Sequence, residues 1–175
     1  MVAGRSLGRS TYTHAGASVP GLGAATAIDP AMLDVHLVCG VTVLVSNLAA
    51  GAWGAWCWYQ RRPSVAFWYL LRFAQVAVVV QVALGGILLL EGRESLDGLH
   101  YVYGVLPIVV ALLAEGARIT ASEHEMEGLD FDALPAERQR AVALAITRRE
   151  TGIMAVSALV ILGLALRAYF TSPLG

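Results

Sequence analysis

Apolar positions are gathered into four long runs, at about 31–59, 64–90, 98–120 and 150–170, with polar positions between and before them. A helix needs about 20 residues to cross a hydrocarbon core, and each run is close to or above that length. The links after the first and second runs are short, which predicts antiparallel neighbours. The expected fold is an all-α integral membrane protein: a four-transmembrane-helix antiparallel bundle over 31–175, behind a flexible tail over 1–30. The tail holds no apolar stretch long enough for a secretory signal. Residues 121–149 read as a polar loop on one side of the bilayer. Its first half, SEHEMEGLDFD, is acidic. In its second half, PAERQRAVALAITRRE, Pro135 suits a first helical position with Asp132 as a cap, so this half reads as an extension of the fourth helix or a surface-lying helix.

Composition supports the membrane class: the chain is 57% hydrophobic and 14% charged, with mean hydropathy +0.65, too apolar for a soluble domain. A net charge of -1 gives no basis for nucleic-acid binding. All 12 basic residues are arginine, in keeping with a GC-rich bacterial genome and hence a bacterial inner-membrane location. Arg61, Arg62, Arg118, Arg138, Arg140, Arg148 and Arg149 lie on one side, and Arg5, Arg9, Arg93 and Arg167 on the other. The positive-inside rule then places both termini outside. Trp53, Trp56, Trp58, Tyr59, Trp68 and Tyr69 cluster near the inner ends of the first two helices, as an interfacial aromatic belt does. Cys39 and Cys57 stand about 27 Å apart along one helix, which excludes a disulfide between them.

Polar residues inside a bilayer are costly and usually face the bundle interior. His36 lies roughly 7 to 8 Å inside the first helix, and Gly85 and Gly86 lie roughly 6 to 8 Å from the end of the second. His100 stands one turn or less into the third. All four share one layer near the outer face. A haem held by two axial imidazoles needs such a layer, with small residues where the ring edge meets backbone. Arg93, Tyr101 and Tyr103 suit its propionates. The alternative is that His36 and His100 are interfacial residues and the glycine pair serves close helix packing.

The run Gln81-Val-Ala-Leu-Gly85-Gly86, followed by a short loop and Leu99-His100, resembles the corresponding helix-loop-helix of the haem A synthase family. That family has two four-helix halves, each with paired haem-ligand histidines near the outer face. The resemblance covers three helices of one half, about residues 31–113. It implies His36 and His100 as the metal ligands of haem b, with Gln81, Gly85, Gly86 and Arg93 lining the cofactor, and it implies a homodimer if the eight-helix plan is kept. Two departures are visible: Leu37 follows His36 where the family has arginine, and Asp34 stands only two residues before His36 rather than one helical turn. No catalytic residue is assigned.

Other polar positions have plainer readings. Arg72 and Glu115 predict an ion pair in the cytoplasmic half, or else a proton or quinone-headgroup site with Gln75 nearby. Asn47 reads as interhelical glue, Cys39 as a packed thiol, and Pro107 as a bend in the third helix. Gly51, Gly54 and Ala55 make one side of the first helix smooth, and His124 is an exposed loop residue. The expected function is a membrane b-type haem protein in electron transport or haem handling. The alternatives are a cofactor-free accessory subunit of a larger respiratory-type membrane complex, and a haem- or quinone-modifying enzyme.

Overall fold

The computed structural model describes residues 30–92 and 98–171. The tail over 1–29 and Arg93 lie outside the described residues. Four helices follow in order: α1 (Pro30–Gln60), α2 (Val65–Leu90), α3 (Leu99–Met126) and α4 (Ala136–Phe170). All four are long and apolar enough to cross a membrane, and together they form a four-helix membrane bundle. Their outward faces are apolar, with Leu112, Leu113, Tyr69 and Leu90 among the most exposed side chains. That exposure suits a lipid solvent, which is as apolar as leucine itself.

Contacts between helix ends establish the alternation. His36, early in α1, touches Gln81, late in α2; His100, at the start of α3, touches Ala168, near the end of α4. Neighbours therefore run antiparallel. α4 packs extensively against both α1 and α3, and α1 packs against α2, whereas α2 and α3 meet only thinly. The short α2–α3 link does not enforce close packing along their length.

The core is built from small residues that let helices approach. Ala50, Ala74, Ala114, Ala155 and Ala158 surround Phe67, Leu71 and Met154. Gly51 and Gly54 supply the smooth side of α1 expected from the sequence. A Cβ at Gly51 would come 2.5 Å from Leu159 Cδ2, and one at Gly54 would run into Phe67 and stand 2.9 Å from Ala155 Cβ. Phe67 is fully buried and has no free direction to move. Gly54→Ala is expected to cost about 1–3 kcal/mol through overpacking. Gly163→Ala, where a Cβ meets nothing within 4 Å, should be neutral or stabilising. Thermal unfolding of the two variants in detergent checks this: equal midpoints would contradict the packing described at Gly54.

The turn after α1 is held tightly. Arg62 N donates to Cys57 O at 3.0 Å and Arg61 N to Trp58 O at 3.2 Å, the bond pair of a left-handed helix cap. Arg61 occupies the left-handed position with φ 56°, where glycine is the usual residue and a side chain costs about 1–2 kcal/mol. Ser64 then caps α2 by accepting from Phe67 N, and Trp53 Nε1 donates to the same hydroxyl at 3.1 Å.

The polar loop is much shorter than the sequence pattern implies. α3 continues to Met126 and α4 begins at Ala136, so only residues 127–135 connect them; the boundaries expected at 120 and 150 move, and the second half of the loop is an extension of the fourth helix, the first of the two readings of that segment. Hydropathy marks where lipid ends, not where a helix ends. Alanine, leucine, glutamate and arginine in the two extensions are strong helix formers. Arg149 Nη1 also pairs with Glu125 Oε1 at 2.8 Å across them. Pro135 is the residue before the helix rather than its first, and Asp132 does not cap it. Instead Gln139 Nε2 folds back and donates to Phe131 O and Leu134 O at 3.0 and 3.1 Å.

Candidate functional site

At the end of the bundle where α1 and α3 begin, four of the residues singled out in the sequence come together. The His36 and His100 rings have centroids 6.5 Å apart and planes tilted by 56°. Gln81 Nε2 lies 3.1 Å from His36 Nε2. A Cβ at Gly85 would stand 3.3 Å from His36 Cε1, so glycine gives that imidazole its room against α2. Gly86 has open space where a Cβ would be.

The two imidazoles are held differently. His100 Nδ1 lies 3.0 Å from Ala168 O. A carbonyl only accepts, so Nδ1 donates, and in the neutral ring that leaves the lone pair on Nε2. The Ala168 carbonyl belongs to the last turn of α4, where main-chain acceptors have no partner within the helix. His100 therefore closes the end of α4 from a neighbouring helix, and Thr171 Oγ1 donates to the same oxygen at 3.0 Å. On His36, Nδ1 is buried with no hydrogen-bonding partner, and so is Gln81 Oε1. Turning the Gln81 amide over exchanges its donor and acceptor but leaves His36 Nδ1 alone in either orientation.

Three participants escape a reading of the sequence. Gly40 lies one turn beyond His36, and a Cβ there would stand 3.2 Å from Gln81 Nε2; its absence lets the amide lie along α1. The Ala168 carbonyl carries no side-chain signature. Arg167 places its guanidinium 5.8 Å from the centroid of Tyr103, bringing a cation and a phenol to the same end. Cys39, three residues after His36, instead directs Sγ toward Ala77 O at 3.8 Å. The thiol and the imidazole do not form one ligand set.

Among the described residues no group of three or more His, Cys, Asp or Glu side chains converges. A bare ion would need more ligands than the histidine pair supplies. A metal already held by four equatorial nitrogens needs only two.

A second polar assembly lies at the opposite end. Arg72 pairs with Glu115 and donates to Gln75 Oε1 at 2.6 Å, and Gln75 Nε2 donates to Glu115 Oε1 at 2.9 Å. Arg118 binds the other Glu115 oxygen at 3.0 Å and Glu150 at 3.3 Å, with its guanidinium 5.6 Å from the centroid of Trp68. Ser122 Oγ donates to Glu150 Oε1 at 2.9 Å. The expected Arg72–Glu115 pair is thus part of a chain of side chains across α2, α3 and α4. Asn47 corrects an expectation: its amide donates to Val43 O of its own helix at 2.9 Å and not across the bundle. His124 pairs at 2.8 Å with Glu127 on the exposed surface.

No family model, curated protein or solved structure matches this chain.

Proposed function

We propose that the chain is a membrane b-type haem protein whose axial ligands are His36 and His100, serving electron transfer or haem handling. The observation that carries this reading is the 6.5 Å spacing of the two rings across the bundle. Two imidazoles sharing one metal through nitrogens about 2 Å from it have ring centroids roughly 6 Å apart. Two further features support the fit. His100 has the arrangement typical of a ligating histidine, with Nδ1–H on a main-chain carbonyl and Nε2 left for a metal. His36 has a buried ring nitrogen with no partner, which is costly unless something else satisfies it.

Bound haem supplies a one-electron iron couple whose potential follows axial ligation, hydrogen bonding and burial. The chain's own residues do the holding. Ala168 O orients His100; Gln81, with its amide turned so that Oε1 accepts from His36 Nε2–H, would leave His36 Nδ1 as a ligand; and Gly85 and Gly86 keep the α2 backbone low. Arg167 with Tyr103, and Arg93, are the groups suited to propionates. The resemblance of residues 31–113 to three helices of one haem A synthase half points the same way, and the arginine bias supports a bacterial inner-membrane orientation with both termini outside. A homodimer or a larger complex, and a redox partner or a quinone, are the partners this reading allows.

A reduced-minus-oxidised visible spectrum of the detergent-purified full chain, with a pyridine extract to count haem, tests it. The expected result is a low-spin b-type signal at about one haem per chain. Absence of haem after expression with haem available would overturn the reading. It would favour a cofactor-free accessory subunit, for which the Gln81 amide on His36 and the Ala168 carbonyl on His100 are sufficient roles for both imidazoles.

A further inference from the structure

At the end away from the histidines a recess lies where the α1–α2 turn meets the middle of α4. Arg61, Arg62 and Arg148 line it, with Trp58, Thr147 and Thr151, and no carboxylate takes part. Trp58 lies flat against α4 because residue 152 is glycine; a Cβ there would come 2.8 Å from the indole nitrogen. The enclosed part holds no more than about one water, so a ligand must sit across the mouth, on the guanidinium groups.

Three other arginines at this end are neutralised, and Arg138 and Arg140 are exposed on α4 outside the recess. Arg72 and Arg118 pair with Glu115, and Arg149 pairs with Glu125. Among the described residues Arg61, Arg62 and Arg148 have no carboxylate within ion-pair distance. Thr147 and Thr151 donate their hydroxyls back to Ala143 O and Thr147 O, which leaves recognition to the cations. Arg61 keeps a side chain at a left-handed backbone position where glycine would be relaxed. Trp53, Trp56 and Tyr59 are exposed nearby, as side chains at headgroup depth are.

We infer that this recess binds phosphate oxyanions, either the phosphodiester of an anionic phospholipid or a free phosphate. A guanidinium presents paired N–H donors that match two oxygens of a phosphate, and three without a counter-charge gather here. The site is independent of the histidine pair and stands or falls separately from it.

The test titrates the purified full chain in neutral detergent with phosphatidylglycerol in mixed micelles and, separately, with inorganic phosphate. Phosphatidylcholine is the reference, and bound ligand is counted by native mass spectrometry. R61Q/R148Q should lower phosphatidylglycerol affinity about tenfold, and R138Q/R140Q, which removes the same charge from exposed α4 positions, by less than about twofold. Phosphatidylglycerol binding without phosphate binding assigns the site to lipid; saturable phosphate that competes with the lipid assigns it to the free anion. Equal losses in the two double variants, or no preference over phosphatidylcholine and no phosphate binding, would overturn the site. Arg61→Gly guards against misfolding. It should melt no lower than the parent while binding severalfold more weakly, and undiminished binding in it removes Arg61 from the site.

Discussion

Replacing either His36 or His100 with alanine is expected to abolish the low-spin haem spectrum that the proposed function predicts, each alone and with similar severity. One axial imidazole cannot hold the iron low-spin. The loss in haem affinity should exceed the roughly 10–100-fold that changes behind a ligand produce. Gln81→Leu supplies that smaller effect, since it removes the amide beside His36 Nε2 and keeps both imidazoles. His124→Ala is the control, because His124 sits on the surface against Glu127. Spectra unchanged in both His36→Ala and His100→Ala would remove the pair as ligands, however well the chain binds haem elsewhere.

The second large effect is expected at the other end, from Glu115→Ala. Glu115 receives Arg72, Gln75 and Arg118 on its two oxygens, and it is the main polar tie between α2 and α3 where those helices otherwise touch thinly. Deleting the carboxylate leaves Arg72 with only Gln75 and Arg118 with only Glu150. Breaking a well-buried pair from one side costs about 3–5 kcal/mol; Glu115 retains 25% exposure, which brings the expectation to about 2–4 kcal/mol. Glu115→Gln keeps the hydrogen-bond geometry without the charge and should lose less. Thermal unfolding of the two variants beside Arg72→Ala decides it. Midpoints within error of the parent would make the assembly a solvated surface feature.

The bundle is legible in the sequence because lipid imposes a coarse, one-dimensional rule. Runs of about 20 apolar residues must span, and the four runs do correspond to four helices. The same rule blurs helix ends: α3 and α4 pass beyond lipid as Ala-, Glu- and Arg-rich helix, and hydropathy falls while helicity does not. At the candidate site, counting depth brings His36, His100, Gly85 and Gly86 to one layer, since rise per residue is fixed by the helix. What depth cannot supply is azimuth. Whether Cys39 faces His36 or Ala77, and whether Asn47 reaches a neighbour or its own helix, depends on rotation about the axis. The Ala168 carbonyl and Glu150, which extends the other assembly to Arg118 and Ser122, come from α4, and they meet α3 residues 28 to 68 positions away in sequence. No local pattern announces them.

α4 is unbroken from Ala136 to Phe170. At about 1.5 Å per residue it is about 52 Å long against a hydrocarbon core of about 30 Å. One end stands among charged, solvent-facing side chains, and the other holds the proton of His100. A slide of a single residue rise would take the Ala168 oxygen away from Nδ1 and turn the next carbonyl about 100° around the axis. The register of α4 thus decides which carbonyl His100 Nδ1 meets. The Arg118–Glu150 and Arg149–Glu125 pairs and the buried Met154 hold that register along the way.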